Sequence, residues 1–111
     1  MVKSSAALKL DLIFHALSDS TRRAILYDVS KHEKTVSEIA RPYRMSLAAV
    51  SKHLTVLEKA RLIERKKHGS FQIVSLHAES LKTAEEWILY YQQFWGPRLD
   101  ALKDFLEKER K

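Results

Sequence analysis

Three helix-start signals follow one another in the first half of the chain, and they constrain its fold more than any other feature. Asp19 and Ser46 each precede apolar residues at helical spacing, and Thr35 has Glu38 three residues after it. Asp, Ser and Thr side chains accept hydrogen bonds from the free backbone N–H groups of a first helical turn, and the Thr-to-Glu spacing is that of a capping box. The chain is therefore predicted to contain short, separately capped helices.

Apolar residues at helical spacing give these helices their extents. A first amphipathic helix is predicted over residues 8–17, and a second over residues 19–32. The third must be short or kinked near Arg41, because Pro42 has no backbone N–H and clashes with the preceding turn. A fourth is predicted over residues 46–60.

The fourth helix has two different faces. At about 100° per residue, apolar side chains fall on one side and small or hydrogen-bonding ones on the other. The apolar set is Val50, Leu54 and Leu57, and the opposite set is Ala48, Lys52, Thr55 and Lys59. The outward face lacks bulk, which suits the major groove of B-DNA, about 12 Å wide and able to admit one α-helix.

A β-hairpin is predicted after this helix. Apolar and charged residues alternate over residues 63–67, a turn follows at His68-Gly69-Ser70, and residues 71–76 are rich in β-forming types. Three helices ending in a capped, small-faced helix and followed by a basic hairpin predict a winged helix-turn-helix. The fold class expected is mainly α with a small β-hairpin.

A long C-terminal helix is predicted to complete the chain. Its apolar residues step by three and four positions, the spacing of a seam that packs on another helix. The seam comprises Leu81, Ala84, Ile88, Tyr91 and Trp95. Gly96-Pro97 is expected to kink or break the helix, and the stripe resumes beyond it with Leu99, Leu102 and Leu106.

Half of the ten aromatic residues fall within nine positions of this last helix. They are Trp87, Tyr90, Tyr91, Phe94 and Trp95. This is too much apolar surface for one exposed helix, so burial in the subunit core together with a dimer seam is expected. An aromatic-lined pocket for a small apolar ligand is the alternative.

The positive charge of the chain is gathered in one segment. Residues 41–68 contain eight Lys or Arg and two Asp or Glu, and the other segments balance, so this segment accounts for the net +6. Such a surface fits a polyanion, most commonly the phosphate backbone of a nucleic acid, and the alternative is a solvated surface kept for solubility. The predicted contacts with double-stranded DNA are Arg44, Ser46, Ala48, Ser51, Lys52, His53, Thr55, Lys59, Arg65, Lys66, Lys67 and His68.

Several of these contacts have a simpler alternative. Lys52 is suited to a guanine edge, but a solvated surface lysine gives the same pattern, and Ser51 and Thr55 are equally compatible with ordinary surface polar residues. His53 lies at the edge of the buried face, where packing or capping competes with a phosphate contact. Residues 65–67 either reach flanking phosphates or protect an edge strand against aggregation.

Three stretches, taken in order, resemble a known family. They are residues 17–26 (LSDSTRRAIL), 39–47 (IARPYRMSL) and 50–60 (VSKHLTVLEKA). Their content and spacing resemble the ArsR/SmtB-like winged helix-turn-helix transcriptional repressors, especially the cysteine-free, SdpR-like branch of that family. The resemblance covers nearly the whole chain.

This resemblance implies a homodimer built from the first and last helices, recognition of a palindromic operator, and repression by occlusion of a promoter. Residues 1–111 would then form a single winged domain whose terminal helices make the dimer interface. The interface residues expected are Leu8, Leu12, Ile88, Tyr91, Trp95, Leu99 and Leu102.

The chain departs from the family pattern in places. Ser20 stands where relatives often have proline, and Arg61 stands where glycine is frequent. The segment around Ile39 has no cysteine pair, so the family's thiolate metal sensor is missing, and no histidine lies between Glu79 and Lys111. None of the five histidines has the close spacing of a helix-borne metal site, so neither a metal nor a cofactor is expected.

Other classes of function are excluded by what the sequence lacks. With no cysteine, the chain has no thiol chemistry. Its longest apolar run, residues 87–91, is far below the roughly 20 residues that span a bilayer, and no secretory segment follows Lys3. A cytoplasmic protein without a membrane partner is expected. No nucleophile–base pair or glycine-rich phosphate loop is present, which argues against an enzyme.

A protein of another class shares many of these features. In it the winged fold is kept, and the aromatic last helix docks a partner protein. The cationic segment favours DNA binding, because a pure interaction domain has no need to gather its net charge on one helix and hairpin. The controlling signal stays open between abundance alone, sequestration by a regulatory protein, and a small apolar ligand near the aromatic residues.

Overall fold

A computed structural model describes residues 5–109; residues 1–4, which include Lys3, and residues 110–111 lie outside it. In chain order the elements are α1 (Ser5–Leu17), α2 (Ser20–Lys31), β1 (Lys34–Thr35), α3 (Val36–Ala40), α4 (Leu47–Lys59), β2 (Ile63–His68), β3 (Phe71–Leu76) and α5 (Glu79–Glu109). The predicted winged helix-turn-helix is confirmed, with α4 as the candidate recognition helix and the β2–β3 hairpin as the wing.

Two of the predicted helix caps include an acidic side chain. The Asp19 carboxylate accepts a hydrogen bond from the backbone N–H of Arg22 at 3.0 Å and begins α2. The capping box at α3 is complete, since the Glu38 N–H donates to the Thr35 hydroxyl at 3.2 Å and the Thr35 N–H donates to the Glu38 carboxylate at 3.0 Å. These backbone donors lower the pKa of both the Asp19 and the Glu38 carboxyl below its ordinary value.

The hydrophobic core lies where α1 to α4 meet the sheet. The predicted inner face of α4 is confirmed, because Val50, Leu54 and Leu57 have no exposed surface. The other buried apolar residues are Ile13, Ala16, Ile25, Val29, Ile39, Ala40, Ala60, Leu62, Ile63, Val74 and Ala84. Full burial of one large aliphatic side chain stabilises a fold by about 1.5–3 kcal/mol, so this stripe fixes α4 firmly on its scaffold.

The sheet has three antiparallel strands in the order β1-β3-β2. The predicted hairpin is confirmed, with His68 opposite Phe71 and Gly69 in the left-handed region of the turn at φ 60°. Strand β1 was not predicted. It has two residues, and its pairing of Lys34 with Val74 is too short to leave an alternating pattern in the sequence.

The last helix is not broken at Gly96-Pro97, where a kink or a break is expected from the sequence. α5 runs without interruption for 31 residues and passes through Pro97. A proline within a helix removes one backbone hydrogen bond and clashes with the Cβ of the residue before it. That residue is Gly96, which has no Cβ, so this clash is absent where the helix continues through Pro97.

Candidate DNA-binding surface

The outer side of α4 is small and basic, opposite the buried stripe. Ala48, Lys52 and Lys59 are exposed there, and Arg44 is exposed in the turn that leads into the helix. The buried back of the helix holds this surface in a fixed orientation. The arrangement is that of a helix able to enter a groove, with cations placed to meet phosphates on either side.

Two of the residues predicted to contact DNA also make contacts that organise α4 itself. The Ser46 hydroxyl accepts a hydrogen bond from the backbone N–H of Ala49 at 3.1 Å and caps the helix. The Nδ1 atom of His53 lies 3.3 Å from Arg22 Nη1 and 3.9 Å from the Asp19 carboxylate. His53 therefore links α4 to the start of α2.

Arg22 is a buried cation at the junction of three helices. It is only 9 % exposed. Its Nε donates to the carbonyl of Ala16 at 2.8 Å and its Nη2 donates to the carbonyl of His15 at 2.9 Å, both at the C-terminal end of α1. A cation at this end satisfies free carbonyls and complements the helix dipole. Sequence reasoning missed this role, although Arg22 precedes the buried Ile25 by three residues and so shares its helix face.

The wing presents two different kinds of cation. Side chains alternate between the two faces of a strand, so Arg65 lies on the same face of β2 as the buried Ile63. Lys66, Lys67 and His68 are exposed, whereas the Arg65 side chain is 17 % exposed. The three exposed residues can reach a partner without rearrangement, whereas Arg65 cannot.

The Arg65 guanidinium is hydrogen-bonded to three side chains of α4. Its Nη2 and Nε donate to the Glu58 carboxylate at 2.9 Å and 3.3 Å. Its Nη2 also donates to the Thr55 hydroxyl at 3.0 Å, and its Nη1 donates to the Ser51 hydroxyl at 3.3 Å. The Thr55 hydroxyl in turn donates to the Ser51 carbonyl at 3.0 Å. Sequence reasoning did not assign Glu58 a role.

Arg61 lies two residues after the end of α4 and has a backbone conformation that most residue types avoid. Its φ is 57°, in the left-handed region. The Arg61 N–H donates to the Glu58 carbonyl at 2.9 Å and the Leu62 N–H donates to the Leu57 carbonyl at 3.0 Å, which is the Schellman pattern at a helix end. Glycine avoids the steric penalty of this position, which gives a physical reason for the glycine expected there.

Phe71 is a further surface residue that sequence reasoning passed over. It is 62 % exposed and pairs across the wing tip with His68. Apolar side chains beside cations serve DNA-binding proteins as wedges in the minor groove. The available signal was an aromatic residue directly after the turn.

The residues predicted at the dimer interface form an exposed apolar stripe on α1 and α5. Their exposed fractions lie between 44 and 53 %, and they are Leu8, Leu12, Ile88, Tyr91, Trp95, Leu99 and Leu102. Phe14 of α1 packs edge-on against Trp87 of α5, with ring centroids 5.4 Å apart. The stripe therefore spans two helices that touch each other.

The aromatic residues of α5 correct one expectation. Within the described part of α5 only Ala84 is buried, so the aromatic side chains do not belong to the core of the subunit. The ring centroids of Trp87 and Tyr91 lie 4.7 Å apart with the planes tilted by 48°, and Tyr90 lies edge-on to Tyr91 at 4.9 Å. They form an apolar surface on the part of α5 that extends beyond Ala84, the point where this helix contacts the domain core.

No group of three or more His, Asp or Glu side chains within residues 5–109 is arranged to hold a metal ion. Over the same range, no helix is both long enough and apolar enough to cross a bilayer.

Comparison with known sequences identifies this architecture. The profile of the bacterial regulatory protein, arsR family, matches residues 19–65. The HTH-type transcriptional regulator YuzN of Bacillus subtilis (strain 168) is 40 % identical over 86 residues, covering 70 % of this chain and 94 % of YuzN. The transcriptional repressor SdpR of the same organism is 33 % identical over 79 residues, covering 71 % of this chain and 88 % of SdpR.

Solved structures agree with this assignment. The ArsR family transcriptional regulator RHA00566 is 34 % identical with a TM-score of 0.77, covering 86 % of this chain and 97 % of its own. The homodimeric winged helix-turn-helix domain of Mb0332 from Mycobacterium bovis shares the fold at 24 % identity and a TM-score of 0.63, covering 85 % and 93 %. The chain therefore belongs to the ArsR family and is a DNA-binding winged helix-turn-helix transcriptional regulator.

Proposed function

We propose that this chain is a cytoplasmic homodimeric repressor that binds an inverted-repeat operator, with α4 in the major groove and the wing on the flanking DNA. The observation that carries the proposal is the contrast between the two sides of α4. Its apolar back is wholly buried and its outer side exposes Lys52 and Lys59, while the wing, which Arg65 ties to α4, exposes Lys66 and Lys67. Exposed cations on a recognition helix and on its wing complement duplex DNA.

The exposed residues divide into two roles. Ala48 and Lys52 lie at the centre of the outer face, where small or hydrogen-bonding side chains meet base edges. The remaining exposed contacts, which add affinity through phosphates, are Arg44, Lys59, Lys66, Lys67 and His68. Ser46, Ser51, His53, Thr55 and Arg65 chiefly fix the shape of the surface, because their side chains already bond within the chain.

The apolar stripe on α1 and α5 supports the dimer. A contiguous apolar patch of this kind marks an interaction site, and a second copy offers the same stripe by symmetry. Two copies would present two α4 helices to half-sites about one helical turn apart, which requires an inverted repeat. The homodimeric state of Mb0332 and the repressor function of SdpR are consistent with this assignment.

The stripe is also the place where a signal would act. The chain has no cysteine and so cannot form a thiolate metal sensor. Neither a cofactor nor catalysis is part of the proposal. A small apolar ligand or a regulatory protein that contacts the α5 aromatic residues would alter the dimer and through it the spacing of the two α4 helices. The exposed aromatic surface also favours a second candidate function, a module that docks a partner protein through α5.

A salt-titrated electrophoretic shift assay with fragments of the source genome tests the proposal. We expect a subset of fragments to be retained at salt concentrations that release random DNA, and their sequences to share an inverted repeat. Lys52→Gln should reduce the preference for these fragments, whereas Lys66→Gln with Lys67→Gln should weaken binding to all DNA and flatten the salt dependence. A monomer that binds no fragment at low salt would favour the docking module.

A further inference from the structure

The wing and the recognition helix are joined at one side chain. All four hydrogen bonds of the Arg65 guanidinium, between 2.9 and 3.3 Å, end on α4, at Glu58, Thr55 and Ser51. A guanidinium has five N–H groups, so this set engages most of its donor capacity. The two lysines that follow it in β2 are exposed and are not tied to α4 in this way.

We propose that Arg65 is a positioning residue, which sets the angle of the wing on α4 and thereby controls discrimination between operator and other DNA, without contacting a phosphate itself. This inference rests on the DNA-binding function proposed above. It separates Arg65 from Lys66 and Lys67, although the three cations are adjacent in the sequence.

Electrostatics keeps Arg65 on α4 when DNA binds. Glu58 is an acidic residue on α4, and its side chain is 41 % exposed. If Arg65 turned outward to a phosphate, the Glu58 carboxylate would face the DNA without a neutralising partner, and the two charge-assisted hydrogen bonds that Arg65 Nε and Nη2 donate to Glu58 Oε1 would be lost. An exchange of one anion for another therefore gives little gain and leaves a repulsive charge at the interface.

The same contacts fix the polar groups of α4 that lie nearest the wing. The Thr55 hydroxyl donates a hydrogen bond to the Ser51 carbonyl and accepts one from Arg65. Its orientation is therefore determined before DNA arrives. Groups that are held in place before binding lose less entropy on binding, and this favours the one DNA sequence that they fit.

The central test compares Arg65→Gln with the matched control Lys66→Gln. The probes are a duplex that carries an operator recovered from the genomic fragments and a random-sequence duplex of equal length. For Arg65→Gln we expect operator affinity to fall about tenfold, the scale of one charge-assisted hydrogen bond, with random-DNA affinity and the slope of log Kd against log salt unchanged. For Lys66→Gln both affinities fall, and the slope decreases by about 0.9, the value of one lost phosphate contact.

Glu58→Gln gives a second test with opposite expectations. Removal of an anion from a DNA-binding surface strengthens binding by simple electrostatics, whereas loss of the partner that holds Arg65 weakens operator binding. We expect weaker operator binding. Arg65→Lys should likewise lose discrimination, because an ammonium keeps the charge but not the planar fork. Thermal unfolding shows that each variant is folded at the assay temperature.

Three results would overturn the inference: a reduced salt slope for Arg65→Gln, tighter operator binding by Glu58→Gln, or wild-type discrimination by Arg65→Lys. Failure of the proposed function itself gives a different result, because the unsubstituted protein would then bind neither duplex.

Discussion

The two helices α4 and α5 both carry an apolar stripe, but they place it in opposite environments. In α4 the stripe of Val50, Leu54 and Leu57 is fully buried within the chain. In α5 the corresponding stripe is buried only at Ala84, and from Ile88 onward it is about half exposed. Similar spacing in the sequence therefore produced a core face in one helix and a free surface in the other.

This difference shows which part of the fold is complete in a single chain. The outer face of α4 is held in place by contacts within the subunit. The face of α5 continues the same hydrophobic pattern past the edge of the core, where it lies on the surface of the subunit. In the proposed function, DNA reading and assembly are therefore tasks of two different helices, and substitutions should affect them separately.

The largest expected effect is that of Leu54→Ala in α4. Leu54 is wholly buried, and truncation of such a leucine costs about 2–5 kcal/mol because it removes apolar burial and leaves a cavity. We expect the free energy of unfolding, measured by urea denaturation, to fall by about 3 kcal/mol. A loss below about 1 kcal/mol would show that the α4 stripe is less closely packed than its burial indicates.

The next effect concerns assembly and is tested by Leu99→Ala in α5. If a second copy covers this side chain, its truncation should raise the dimer Kd about 30-fold, equivalent to about 2 kcal/mol of apolar burial. Sedimentation equilibrium measures this directly.

The chain offers a matched control for this measurement. Leu89 is on the same helix and is exposed to nearly the same extent, 51 % against 49 % for Leu99, but it follows Ile88 by one residue and so lies about 100° away from the stripe. Leu89→Ala should leave the dimer Kd unchanged. Equal effects of the two substitutions would contradict an interface confined to the stripe.

Much of this comparison was predictable from the sequence because helix starts are local events. Asp19, Thr35 and Ser46 each meet backbone groups three residues away, so the residue type and the next few positions determine the cap. The buried stripe of α4 was equally predictable, since it depends on spacing alone.

Contacts between side chains of different elements were not predictable in the same way. Arg65 and Glu58 belong to different elements, and Arg22 and His53 are 31 residues apart in the sequence. Alternation along β2 did contain a signal, since Arg65 follows the apolar Ile63 by two residues and must share its face. The charge of Arg65 suggested a role on the surface, but its side chain points towards α4 and is largely buried.

The end of each helix gives a smaller test of the comparison. α4 ends at Lys59 and is followed at Arg61 by a non-glycine residue at φ 57°, while α5 continues through Gly96. The left-handed conformation costs a non-glycine residue about 1–2 kcal/mol, so a glycine at this position removes that cost. The greater flexibility of glycine in the unfolded chain offsets part of the resulting gain in stability. Arg61→Gly should therefore raise the free energy of unfolding by up to about 1 kcal/mol.

Gly69→Ala is the converse substitution, at φ 60° in the wing turn. An added Cβ would meet no atom within 4 Å, so any loss comes from backbone strain, which is partly offset by the lower flexibility of alanine in the unfolded chain. We expect a decrease of about 1 kcal/mol in the free energy of unfolding. Changes of the same sign in the two variants would show that backbone conformation is not the controlling factor at these sites.

The smallest expected effect is the acid dependence of the α1–α2 junction that anchors α4. The Asp19 carboxyl has a lowered pKa, chiefly because the backbone N–H of Arg22 donates to it, and the Arg22 and His53 side chains act in the same direction. A group whose pKa is lower in the folded state stabilises the fold above its unfolded pKa, and this contribution is lost as the pH falls through the folded value. Asparagine caps a helix about as well as aspartate but does not titrate. The free energy of unfolding of Asp19→Asn, measured in urea between pH 3 and 7, should therefore fall less steeply than that of the unsubstituted protein below about pH 4, while parallel curves would show that the Asp19 charge does not help to anchor α4.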